Sequence, residues 1–169
     1  MSEMTTRHPP LTVPTLIAAN ELRLDEDVLH VRCVGGLDLP QVKQLLVVYE
    51  QCIGQFGYLL LLLDVERSTG MDMAGRRYGS EWAKNYTAVQ SMAVYGAGSI
   101  VRGMLTMLNR ATFLISRGKQ AAMEFVATEE LGRQWLQAQR PLMVKAAAER
   151  RRNPSMAQAA GSQDRLKKI

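Results

Sequence analysis

Tyr58–Gly70, YLLLLLDVERSTG, is the stretch on which the reading of this chain turns. Five consecutive leucines closed by an acid are too few to span a membrane. They suit a strand buried on both faces, as in a parallel or mixed sheet with helices packed on it. Asp64 then marks the carboxyl end of the strand, and Glu66, Arg67, Ser68, Thr69 and Gly70 form the loop beyond it. In open α/β sheets that end carries the functional loops.

Working upstream, Val42, Leu45, Leu46, Tyr49 and Ile53 recur at helical spacing through Leu39–Phe56, with polar residues between them. Asp38 ahead of Leu39-Pro40 is an N-cap signal, and Gly54 and Gly57 stop the helix just before the leucine strand. This is a β–α–β unit, with a right-handed crossover. Glu21–Leu24 and Val28–Val34 each alternate apolar and polar side chains around the acidic turn Asp25-Glu26-Asp27, which predicts an antiparallel hairpin with one wet face. His30 falls on that face and has no ligand-spaced partner, so it reads as a surface residue and not a metal ligand. Gly35-Gly36 ends the strand. Residues 1–20, with Pro9, Pro10 and Pro14, are expected to form an extended arm.

Downstream, Met71, Ala74, Tyr78, Trp82 and Tyr86 recur every three or four residues, with Arg76, Arg77, Glu81 and Lys84 on the outer side. The aromatic stripe reads as core, with Tyr78 and Trp82 facing the sheet, and not as a platform for stacking bases. Ser91–Tyr95 is a short strand, Gly96-Ala97-Gly98 a turn, and Ser99 the N-cap of a helix to Ser116 with Val101, Met104, Leu105, Leu108, Thr112 and Ile115 inward. Gly96 and Gly98 give G-x-G, but Val101 stands where a dinucleotide fingerprint needs its third glycine. What remains is a candidate anion site at Gly98, Ser99 and Arg102 on a helix N-terminus. Ala122–Val126 is a further strand, and Thr128-Glu129-Glu130 opens a last helix with Leu131, Trp135 and Leu136 inward. The order β-β-α-β-α-β-α-β-α predicts an α/β domain over residues 21–140, with a mixed four- to five-stranded sheet and helices largely on one face.

The chain's 169 residues, 47% hydrophobic and 22% charged, fit one globular domain with tails. Its net charge of +5 is local: residues 141–169 hold seven basic groups against two acids, and the remainder balances. That places the basic excess on an appendage, with residues 153–169 expected to be mobile. A solvated tail and a salt-sensitive contact with an acidic membrane or nucleic acid are both open readings of it. Cys33 and Cys52 lack metal spacing and read as buried thiols in a reducing compartment. The first residues lack a signal-peptide pattern, so a cytoplasmic location is expected. Asp64, Glu66 and Asp72 suggest a carboxylate pair or a Mg²⁺ site, but no histidine or glycine-rich phosphate loop accompanies them. Ser68 and Ser99 sit in no nucleophile motif, and His8 and His30 are poorly placed as bases. No catalytic residue, metal or cofactor is assigned.

The hairpin, crossover helix, Leu-rich strand ending in Asp, Ser-Thr-Gly segment and following helix resemble the STAS domains. The closing run MEFVATEELGRQWL resembles their branch similar to sporulation anti-sigma-factor antagonists. The likeness covers about residues 20–138. It implies a non-enzymatic switch whose loop and following helix dock a protein partner, such as a regulator or kinase-like anti-sigma factor. It also implies that phosphorylation of the loop serine blocks docking. Carried over, Ser68 and Thr69 are the candidate phosphoacceptors, and Arg67, Ser68, Thr69, Gly70, Arg76, Arg77, Glu81 and Lys84 form the partner-binding surface, whether for that partner or for a second copy of the chain. Arg67 stands where the pattern has an acid. The alternatives are a lipid- or anion-binding module like the CRAL-TRIO domains, and a weak metal-dependent hydrolase.

Overall fold

The computed structural model describes residues 12–86, 89–99, 102–103, 106–107 and 122–152. Its strands are β1 (Leu16–Ile17), β2 (Asn20–Asp25), β3 (Val28–Leu37), β4 (Leu59–Met71), β5 (Gln90–Tyr95) and β6 (Ala122–Phe125). The described helices are α1 (Leu39–Phe56), α2 (Met73–Tyr86) and α3 (Glu129–Arg152). The strands lie in the sheet in chain order: β1, β2 and β3 are antiparallel neighbours, and β3 to β6 run parallel. The α/β class and mixed sheet are those read from the sequence. The sixth strand is the two-residue β1, where Leu16 and Ile17 pair back onto Glu21 and Asn20. It lies in the segment expected to be a loose arm, yet Ile17 is buried and the Asn20 amide donates to Ile17 O at 3.0 Å.

The leucine strand is covered on both faces. Leu59, Leu61, Leu63 and Val65 pack with Val42, Leu45, Leu46 and Val48 of α1. Leu60 and Leu62 point the other way, into a second cluster with Val28, Ala93, Leu136 and Ala147. Two helices, α1 and α2, share the first face, and α3 closes the second. Alternation along β4 thus divides one apolar run between two cores. Gly57, at φ +86°, takes the left-handed conformation that ends α1 and donates its N–H to Ile53 O at 2.8 Å. At the other end Asp38 and Gln41 form a reciprocal capping box. Close approach explains Gly132: a Cβ there would stand 2.6 Å from Leu62 Cδ1, so its absence lets α3 sit against β4.

The sequence reading needs correction at the last helix. α3 does not stop near residue 140. It runs through Pro141 to Arg152, and Ala147 is buried against the second core. Residues 141–152, placed in the basic appendage beyond the domain, are its last turns, because Leu136, Met143 and Ala147 keep an apolar stripe beyond the proline. Leu131, expected inward, is exposed, Trp135 is half-buried, and Leu136 alone of the three is fully buried. Residues 153–169 lie outside the described residues, as do most of those expected to form the helix from Ser99 to Ser116. Ser99, Arg102, Gly103, Thr106 and Met107 are described, and they are helical. No helix among the described residues is long and apolar enough to cross a membrane.

Candidate functional site

The residues after Asp64 are strand, not loop. Pairing of β4 with β5 stops at Asp64↔Tyr95, but pairing with β3 continues through Val34↔Arg67, Gly35↔Ser68, Gly36↔Gly70 and Leu37↔Met71. A two-stranded ribbon therefore projects from the carboxyl end of the sheet. β3 passes straight through Gly35-Gly36, which had been read as its end. Gly35, at φ +73°, takes up one of the two register irregularities. Leu37 and Gly70 are buried and anchor the ribbon, while Arg67 and Thr69 are exposed. Ser68 is half-buried, and its Oγ accepts from Gly70 N–H at 3.2 Å. Asp72 N–H donates to Leu37 O at 2.9 Å, and Asp72 Oδ1 accepts from Gly75 N–H at 2.5 Å, so α2 starts directly from the ribbon.

On α2, Arg76, Arg77 and Glu81 are exposed, and Lys84 Nζ lies 2.6 Å from Glu81 Oε1. Tyr78 does not face the sheet. It is 44% exposed, with Lys43 Nζ 5.3 Å above its ring. Trp82 takes the inward place, edge-on to Tyr49 and tilted over Tyr86, with Nε1 donating to Glu50 Oε1 at 2.8 Å. The fold thus gathers Arg67–Gly70, Arg76 and Arg77 at one end of the molecule. Glu81 and Lys84 lie further along the same helix, about 1.5 Å of rise per residue away. The candidate anion residues sit elsewhere: Gly98 and Ser99 are exposed, and Arg102 lies over the Phe125 ring at 5.4 Å.

A second polar constellation was missed from sequence. His30 is only 7% exposed, because the face that looked wet is roofed by the first turn of α3. His30 Nε2 lies 2.9 Å from Tyr95 Oη, and its Nδ1 lies 3.9 Å from Glu129 Oε1. Tyr95 Oη donates to Glu129 Oε2 at 3.4 Å. Arg133 bridges Glu129 and Asp25, and Arg32 Nε donates to Asp64 Oδ2 at 3.0 Å. Burial pushes the His30 imidazole below its ordinary value against the pull of Glu129, and it raises the Tyr95 phenol, helped by Asp64 and Glu129. Burial also works to raise the Glu129 carboxyl, but Arg133, His30 and Arg23 outweigh it and hold that group low. These groups satisfy one another and tie α3 to the sheet. Asp64 is similarly engaged, its Oδ1 accepting from Glu66 N–H at 3.1 Å, and among the described residues no cluster is placed to hold a metal ion. The available signal was the alternation of Arg23, His30 and Arg32 with Asp64 and Tyr95 on one face of four strands. It needed the position of α3 to be recognised.

A mixed sheet with three sequential parallel crossovers, an antiparallel edge and a closing helix on the second face defines a SpoIIAA-like α/β module, the fold of the STAS domains. Among solved structures the chain is similar to the anti-sigma factor antagonist SpoIIAA in its unphosphorylated form, with 19% identity over 70% of this chain and 98% of that one, at a TM-score of 0.52. It is also similar to an uncharacterized protein of the DUF3478 family from Shewanella loihica PV-4, described as having a SpoIIAA-like fold, at 17% identity, 70% and 92% coverage and a TM-score of 0.45. No family model and no curated protein matches the sequence.

Proposed function

We propose that this chain is a non-catalytic regulatory module that docks a protein partner through the Arg67–Gly70 ribbon and the outer face of α2. The observation that carries this reading is the ribbon itself: paired to β3 but open toward β5 beyond Asp64 among the described residues, it leads through one residue, Asp72, into a helix with Met73, Arg76 and Arg77 exposed. A rigid tip beside an exposed, charged helix face suits recognition of another protein. The likeness to an anti-sigma factor antagonist supports a partner of the regulator or kinase-like class. Phosphate on Ser68 would add about −1.5 to −2 charges next to Glu66 and displace the Gly70 N–H from the Ser68 Oγ, weakening the contact. Thr69, exposed beside it, is the second candidate acceptor.

Photo-crosslinking residues placed one at a time at Thr69, Ser80 and Leu142 test the surface. The expected result is one protein, or a second copy of this chain, captured from Thr69 and Ser80 and not from Leu142 on α3. The Ser68→Asp variant should lower that capture with an unchanged circular dichroism spectrum. Capture from Leu142 alone, or from none of the three, refutes the proposal.

A further inference from the structure

The electrostatics of the α2 surface specify its partner's chemistry, an inference that rests on the docking reading above. Arg23, Arg32, Arg133 and Arg140 each pair with a carboxylate. Arg67, Arg76 and Arg77 have no ion pair among the described residues, although all three are exposed at one end of the molecule. Three of the acids on α1 and α2 are already engaged, while Glu66, beside Arg67, is exposed. Asp72 caps α2, Glu81 holds Lys84, and Glu50 accepts from Trp82. Met73, 79% exposed, stands three and four residues before Arg76 and Arg77 and so beside both on the helix surface. An adaptable thioether flanked by guanidinium groups matches an apolar anchor flanked by carboxylates, because arginine binds carboxylate with two parallel N–H donors. We propose that the partner presents to α2 an acidic protein segment in which glutamate or aspartate alternates with apolar side chains at helical spacing.

The test uses the full chain and a fluorescein-labelled amphipathic peptide of glutamates and leucines, read by anisotropy against a counterpart with every glutamate replaced by lysine. The acidic peptide should bind, the basic one should not, and added salt should weaken the complex. Arg76→Glu with Arg77→Glu should weaken binding about tenfold, and Met73→Ser should also weaken it, with circular dichroism unchanged. Equal affinity for the two peptides, no binding of either, or indifference to charge reversal overturns the inference. So does tighter binding to phosphatidylserine vesicles or to a single-stranded oligonucleotide. If a protein crosslinked at Thr69 and Ser80 loses affinity on Met73→Ser but not on arginine reversal, the docking reading stands and only the acidic partner fails. If nothing crosslinks there and no peptide binds, both fall.

Discussion

Asp27, in the turn between β2 and β3, is the carboxylate whose loss should loosen α3 most. Arg140 Nη2 and Nε lie 2.6 and 2.9 Å from its two oxygens, and Tyr58 Oη donates to Oδ2 at 2.7 Å. One side chain thus ties the hairpin turn to the start of β4 and to the middle of α3. The Asp27 side chain is 12% exposed and that of Arg140 33%. Hydrogen bonds to charged groups contribute about 1.5–3 kcal/mol each when shielded, and partial exposure of the arginine brings the pair to the lower end of that range. Asp27→Ala should therefore destabilise the fold by about 2–3 kcal/mol, and Asp27→Asn, which keeps an acceptor, by about 1–2 kcal/mol. For a chain of this size each kcal/mol shifts Tm by about 2–4 °C, so the alanine variant should melt about 4–12 °C lower. Urea unfolding of Asp27→Ala, Arg140→Ala and the double variant should give a coupling energy of about 1–2 kcal/mol. Additive single effects would show that α3 is not held to the turn through this pair.

Gly132→Ala should destabilise by about 1 kcal/mol or more despite alanine's better helix propensity, because its methyl meets fully buried Leu62. Combining it with Leu62→Ala should give less than the summed losses in urea midpoints. Burial lowers the His30 value, so the folded state binds fewer protons there than the unfolded chain, whose histidine titrates near about 6.5. The stability owed to neutral His30 is fully present above that value and lost as pH falls through the lowered folded one. The stability of His30→Phe should therefore fall less between pH about 7 and 5 than that of the parent, with equal slopes refuting the assignment. The Cys33 thiol, pushed up to about 12 by burial, and the Cys52 thiol, pushed up to about 11, should resist a disulfide-exchange reagent at neutral pH in the folded chain and react in urea. Rapid labelling of either without denaturant would contradict the burial.

The central strand was legible because five leucines admit few environments, and α1 because Asp38 and Gly57 mark its ends. The ribbon was not legible. Glu66–Gly70 reads as a turn by composition, and only pairing with β3 across two bulges makes it strand. His30 misled for a related reason: alternation tells which side of a strand a residue occupies, but not whether a helix arrives later to cover it. The domain was drawn to end at residue 140, where the basic excess begins, whereas packing of Ala147 on the second core carries α3 through Pro141 to Arg152. On α2 the period placed Arg76, Arg77 and Glu81 outward, where they are found, but Tyr78, expected to face the sheet, is exposed with Lys43 of α1 over its ring.

The division of β4 between two cores has a consequence for biosynthesis. Every fully buried residue of the first core, from Ile17 to Val94, precedes residue 96, while the second face waits for residues 129–152. A chain still on the ribosome can form the sheet and α1 while Leu60, Leu62 and Ala93 face solvent, and at about 5–20 residues per second that exposure lasts for seconds. During that interval the nascent protein carries a bare apolar surface of the kind that recruits chaperones or drives aggregation. Emergence of residues 129–152, which lets α3 fold onto the sheet, is the event that covers this surface.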